Sequence, residues 1–155
     1  MMNGLVIALS TVTLKIFFKE IIMSKFKGSC ICGSVQYELK SEPGLSFLCQ
    51  CRQCQRITGT GHSAEFVASS ENTVLSGALK FYNLTADNGN TVSSGFCPNC
   101  GNPVLKKSSG YPGMLFFHAA TLEDPSTFKP QKVFWNASHQ PWDFVNPSLD
   151  VKKYT

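Results

Sequence analysis

Arginine is nearly missing from this chain. It stands at Arg52 and Arg56 and nowhere else, and lysines are adjacent only at Lys106-Lys107 and Lys152-Lys153. A nucleic-acid surface needs basic side chains clustered on one face to neutralise phosphates, so no nucleic-acid partner is expected. Charge is scarce too: charged residues are 15% of the 155, hydrophobic ones 43%, and the formal net charge is +4. That is a mildly basic, solvated surface on an ordinary globular protein. No apolar run is long enough for a transmembrane helix, so no membrane partner is expected. The length suits one domain with a real core, so disulfides are not needed to replace one. A complete disulfide set is excluded in any case, because the seven cysteines are an odd number.

Those cysteines fall in three groups: Cys30-Ile31-Cys32, Cys49-Gln50-Cys51-Arg52-Gln53-Cys54, and Cys97-Pro98-Asn99-Cys100. In an extended strand, residues two apart share a face with Cα atoms ~6.7 Å apart, the outer limit for a disulfide. Two thiolates on a tetrahedral zinc need sulfurs only ~3.8 Å apart, from bonds of about 2.3 Å. Cys-x-Cys therefore suits a metal better than a bridge, and the expected compartment is reducing, hence cytoplasmic.

Residues 1–22 differ from the rest. Leu5-Val6-Ile7-Ala8-Leu9 is a short apolar run with no Lys or Arg before it, and no small-x-small cleavage site follows. The expectation is a poorly ordered N-terminal extension, with one domain over 23–155. From Lys25 the pattern is that of strands. Val35, Tyr37 and Leu39 alternate with polar residues. Leu45-Ser46-Phe47-Leu48 leads into the middle cysteines, and a helical turn after Cys54 is stopped by Gly59 and Gly61. Strand character returns at 64–68, at 73–75 and 79–82 on either side of Ser76-Gly77, and at 91–96 after the turn Asp87-Asn88-Gly89-Asn90. Met114 to Ala120 reads as a strand buried on both faces, Gln131 to Trp135 as the last strand, and Pro141 onward as an extended tail. The expected class is mainly β.

Glycine follows two of the cysteine groups, at Gly33 and Gly101, where it permits a tight turn that aims backbone N–H groups at thiolates. Gln55 follows the middle group. Cys30, Cys32, Cys97 and Cys100 thus form a matched set for a structural zinc. Cys49, Cys51 and Cys54 remain, and three protein ligands with an open position describe a catalytic zinc. Two other arrangements stay open on spacing alone. Cys51 and Cys54 could pair with Cys97 and Cys100 as a ribbon, or His62 could close the middle site.

Gly28 to Glu38, Cys49-x-Cys51-x-x-Cys54 with Arg56-x-Thr58-Gly59, Phe96-Cys97-x-x-Cys100-Gly101, Thr121-Leu122-Glu123-Asp124-Pro125 and Pro141-Trp142 together resemble the glutathione-dependent formaldehyde-activating enzyme family, which shares its domain with centromere protein V. All seven cysteines fall in register. The resemblance implies a β-tent of antiparallel sheets held by a structural zinc. It implies two Zn2+ per chain in the four-plus-three division, and carbon–sulfur lyase chemistry adding glutathione or a similar small thiol reversibly to formaldehyde or another small aldehyde. The family often carries two basic residues after the third middle cysteine, and here the first is Gln55.

Zinc in an open site would hold a thiol as thiolate beside the aldehyde, or polarise the aldehyde oxygen. Three thiolates weaken zinc as a Lewis acid, which favours the first role. Arg56 is the candidate for binding a substrate carboxylate. His118 reads as a satisfied core residue, and Trp135 and Trp142 as packing. A zinc-stabilised binding module without catalysis is the second reading. A methionine-R-sulfoxide reductase would need a redox cysteine outside the zinc set.

Overall fold

The computed structural model describes residues 26–154, so the extension expected over 1–22 lies outside the described residues. The elements are β1 Lys27–Ser29, β2 Gln36–Leu39, β3 Leu45–Cys49, α1 Arg52–Thr58, β4 Ser63–Ser69, β5 Thr73–Ser76, β6 Lys80–Thr85, β7 Thr91–Phe96, β8 Pro103–Ser108, β9 Met114–His118, β10 Lys132–Phe134 and β11 Asp150–Val151. They form a small sheet, β1-β2-β5, and a large one, β11-β10-β3-β4-β9-β8-β7-β6.

The expected β class holds, with α1 the one α-helix among the described residues. The expectation of purely antiparallel sheets does not. β10 runs parallel to both β3 and β11. β3 and β9 both lie antiparallel to β4. The chain must therefore cross back from the end of β9 to enter β10 alongside β3, and residues 119–131 supply the crossover that parallel pairing needs. β10 is also not the last strand, because β11 follows it on the sheet edge. The Ser76-Gly77 turn occurs, with Gly77 at φ +85. The strands it separates part company, β5 joining β2 and β6 joining β7.

Alternation along the strands places the core. Tyr37 and Leu39 of β2 turn inward while Gln36 and Glu38 face solvent. From the large sheet, Phe66 and Phe117 stack with centroids 5.3 Å apart, and Tyr37 lies 4.4 Å from Phe117. Val35, Leu105 and Leu115 complete this apolar layer between the sheets. β1 meets the loop after β9 at Gly28, where a Cβ would come 2.3 Å from the Thr121 carbonyl oxygen and 2.4 Å from Tyr37 Oη. Only glycine fits that approach.

The outer face of the large sheet carries different residues. Direct partners share a face, so Cys49 pairs with Ser63, while Phe47, Glu65 and His118 make one row. Val67, Phe116, Lys106 and Ser94 make the next. Phe47, Cys49, Cys54 and Val67 are buried together there.

Candidate metal centre

The four-cysteine set joins the two sheets. Cys30 and Cys32 lie on the turn from β1 to β2, and Cys97 and Cys100 on the turn from β7 to β8. Their sulfurs all fall within 4.8 Å of one another. Cys30 and Cys32 are 3.5 Å apart at sulfur and Cys32 and Cys97 are 3.7 Å apart, close to the ~3.8 Å of thiolates sharing a tetrahedral zinc-like ion. The donor set could hold a metal ion. Gly33 and Gly101 both sit at φ +73, in the left-handed region. Their N–H groups donate to the carbonyls of Cys30 and Cys97 at 2.9 and 2.8 Å, so the glycines turn the chain and do not themselves reach sulfur. Other backbone N–H groups do reach sulfur, that of Val35 lying 3.3 Å from Cys30 Sγ and those of Cys100 and Asn99 bonding Cys97. Ile31 N–H donates to Asn102 Oδ1 at 3.1 Å and ties one turn to the other. The Cys32 thiol is pushed down to about 5, chiefly by its hydrogen bond with the Ser34 side chain.

The three-cysteine set is built where β3 runs into α1. Cys49 ends β3, Cys51 caps the helix, and Cys54 lies in its first turn. Cys51 Sγ accepts the Cys54 N–H at 3.4 Å, the capping role usually taken by an oxygen. Gly59, left-handed at φ 71, closes the helix after seven residues. The three sulfurs lie within 4.8 Å of one another, a second arrangement that could hold a metal ion. The ribbon of Cys51 and Cys54 with Cys97 and Cys100 is not formed, since the two clusters are separate. Hydrogen bonds from Cys49 and then Cys54 push the Cys51 thiol down to about 3, and the same sharing pushes Cys49 up.

His62 does not join this set. Its Nδ1 lies 2.8 Å from Asp143 Oδ1. Arg56 is exposed in the last turn of α1. Gln55 is buried, and its Nε2 donates to the carbonyls of Gln50 at 2.5 Å and Ser138 at 2.9 Å. The residue that departs from the family pattern thus holds the cysteine loop against the C-terminal segment. Gln50 extends that contact, donating to Asp143 Oδ2 at 3.2 Å and accepting from Asn136 Nδ2 at 3.0 Å. Gly61 makes room, since a Cβ there would lie 2.2 Å from Asp143 Cγ. Trp135 packs beside the cysteine cluster as expected. Trp142 does not pack, being 62% exposed.

Sequence reasoning missed the polar group beside Cys54. Lys106 Nζ lies 3.2 Å from Cys54 Sγ and 2.5 Å from Glu65 Oε1, with the two side chains 11% and 1% exposed. Burial alone would push the Lys106 ammonium down, but Glu65 and then Cys54 outweigh it and hold it above the usual lysine range. Ser63 Oγ donates to Glu65 Oε1 and sits 3.3 Å from His118 Nδ1. A carboxylate facing an ammonium can only accept, so the Ser63 proton goes to Glu65 and His118 must donate from Nδ1. His118 Nε2 then carries a bare lone pair, and it is buried without a partner, as are Glu65 Oε2 and Ser94 Oγ. Burial also holds His118 below its ordinary value. His118 is a core residue, as expected, but not a satisfied one.

The family model described as glutathione-dependent formaldehyde-activating enzyme matches residues 25–138. The chain belongs to this family. The match opens before β1 and takes in all seven cysteines. It ends in the turn that Gln55 holds, so Asp143 and β11 lie past it. A crystal structure of a Rhodobacter sphaeroides protein is similar in fold, with TM-score 0.51 and 21% identity over 81% of this chain and 99% of that one. No curated relative matches the chain significantly.

Proposed function

We propose that this formaldehyde-activating family member is a zinc-dependent carbon–sulfur lyase. It adds glutathione or a similar thiol to formaldehyde or another small aldehyde. The new S–C bond forms as the carbonyl π bond opens, and the thiol proton ends on the former carbonyl oxygen. No electrons leave the pair of substrates, so no redox cofactor is needed. Cys30, Cys32, Cys97 and Cys100 would hold a structural zinc, and Cys49, Cys51 and Cys54 a catalytic one. Bound by three protein thiolates, zinc supplies a charged centre that favours the thiolate form of a substrate thiol.

The chain's own residues do the rest. Phe47, Phe116, Phe134 and Trp135 pack around the cysteines and keep bulk water from them. Arg56, exposed two residues after Cys54, stands as the group for a thiol substrate's carboxylate. Gln55, being buried, takes no part in that recognition. The observation that carries the reading is a complete four-thiol set beside a separate three-thiol set within one family member. The reading includes a cytoplasmic location, where the thiols stay reduced.

Two measurements test it on protein purified under reducing conditions. Metal analysis should give two zinc ions per chain, one of them labile to chelator, and a single ion would defeat the four-plus-three assignment. The protein should also speed the loss of free thiol from a glutathione–formaldehyde mixture. Two bound zincs with no acceleration would favour a zinc-stabilised binding module for that substrate pair.

A further inference from the structure

We propose that Lys106 is a positioning residue of the three-cysteine site. Clamped by Glu65, it fixes the Cys54 side chain and carries positive charge that offsets the excess negative charge of an ion held by three thiolates and an anionic sulfur ligand. The inference rests on the reading that Cys49, Cys51 and Cys54 hold zinc.

The placement is costly and specific. Lys106 pairs in register with Phe116 of β9, which pairs in turn with Val67 of β4. An ammonium set between Phe116 and Ser94 loses most of its hydration, and a buried ion pair alone is often no better than apolar side chains of the same volume. A pair retained only for packing should also be complete. This one is not, since Glu65 Oε2 has no partner. The second acceptor within reach of Lys106 is a cysteine sulfur, at 3.2 Å. A divalent ion on three thiolates leaves one excess negative charge, and a substrate thiolate would add another. Among the described residues, Lys106 is the cation in hydrogen-bond contact with that sulfur set. Glu65 has a matching task. Ser63 donates to its carboxylate and is itself held by His118 Nδ1, so the ammonium stays aimed at Cys54. Such outer partners orient ligands and tune the bound metal.

The test uses Lys106→Gln, Lys106→Arg and the double variant Glu65→Gln/Lys106→Met. The double variant removes both charges, so it should fold even where the single one leaves Glu65 buried and unpaired. At one fixed pH, competition with a chromophoric chelator reads the zinc affinity of the labile site. Cobalt(II)-loaded protein titrated with 2-mercaptoethanol reads thiol binding through the thiolate-to-metal absorption band. The double variant should bind the labile zinc about 10–100-fold more weakly. It should need more thiol to shift the cobalt band, and it should keep the tightly held ion. Lys106→Arg should recover part of the loss. Affinity and thiol response within twofold of wild type in the double variant would overturn the role of Lys106 alone. A wild-type chain with one zinc would overturn the metal reading and this inference with it.

Discussion

Breaking the two cysteine sets one at a time should cost the fold very different amounts. Cys100→Ser opens the set that ties Cys32 to Cys97, 65 residues apart in the chain. Treated as a cross-link, a closed loop of that length removes unfolded-state entropy worth about 4 kcal/mol at 25 °C. The middle set spans only Cys49 to Cys54, and the same relation gives about 2 kcal/mol. The first set also fastens the small sheet to the large one, through turns that leave β1 and β7. Domains of this size are stable by roughly 5–15 kcal/mol, so the first loss is a large share of the total. Urea unfolding followed by fluorescence of Trp135 and Trp142, under reducing conditions, measures both. Cys51→Ser should release one zinc and stay folded. Cys100→Ser should be destabilised by about 2 kcal/mol more, with a melting temperature lower by roughly 8 °C. Equal losses, or a Cys100→Ser protein with the wild-type midpoint, would refute the assignment of a fold-holding role to the outer set.

Two further perturbations probe the contacts behind the site. Gly28→Ala pushes a methyl group against the Thr121 carbonyl and Tyr37 Oη, so denaturation should show a loss of about 2 kcal/mol or more; an unchanged midpoint would contradict the close approach of β1. His118 is native in its neutral form, held below 6.5 first by burial. As pH falls below 6.5 the unfolded chain takes up a proton that the folded one refuses, so wild-type stability declines by up to about 1.4 kcal/mol per pH unit. His118→Gln should lack that slope between pH 6.5 and 5.5, and a variant that keeps it would show that His118 is not the group responsible.

The cysteine sets were legible because their chemistry is local. Spacing within six residues, and a glycine after Cys32 and Cys100, mark the turns without knowledge of any distant contact. The strands with period two were legible for the same reason, and so was the Asp87–Asn90 turn, where Gly89 takes φ +81. What escaped depends on pairing between remote segments. Lys106 stands 52 residues from Cys54 and reaches it only because β8 pairs with β9 and β9 with β4. As a lysine next to Lys107 it read as surface. Glu65 stood in a stretch read only as strand, and nothing local shows that the face it lies on is covered by the cysteine loop. The parallel pairing of β10 was hidden because three residues carry no sign of strand direction. Asp143 was read as part of a tail, since nothing local shows that Gly61 leaves space for its side chain.

In β4, neighbours in sequence answer to opposite sides of one sheet. Phe66 stacks in the core between the sheets, while Glu65 and Val67 belong to the cysteine face. Inheritance can therefore alter the two sides separately by exchanging side chains, and a relative could change its chemistry without repacking its interior. Length is another matter. Insertion or deletion of one residue ahead of Glu65 in β4 would carry Phe66 into the sulfur cluster and Glu65 into the apolar layer at a single stroke. Across diverging members of such a lineage, β4 should vary in composition and resist any change in its number of residues.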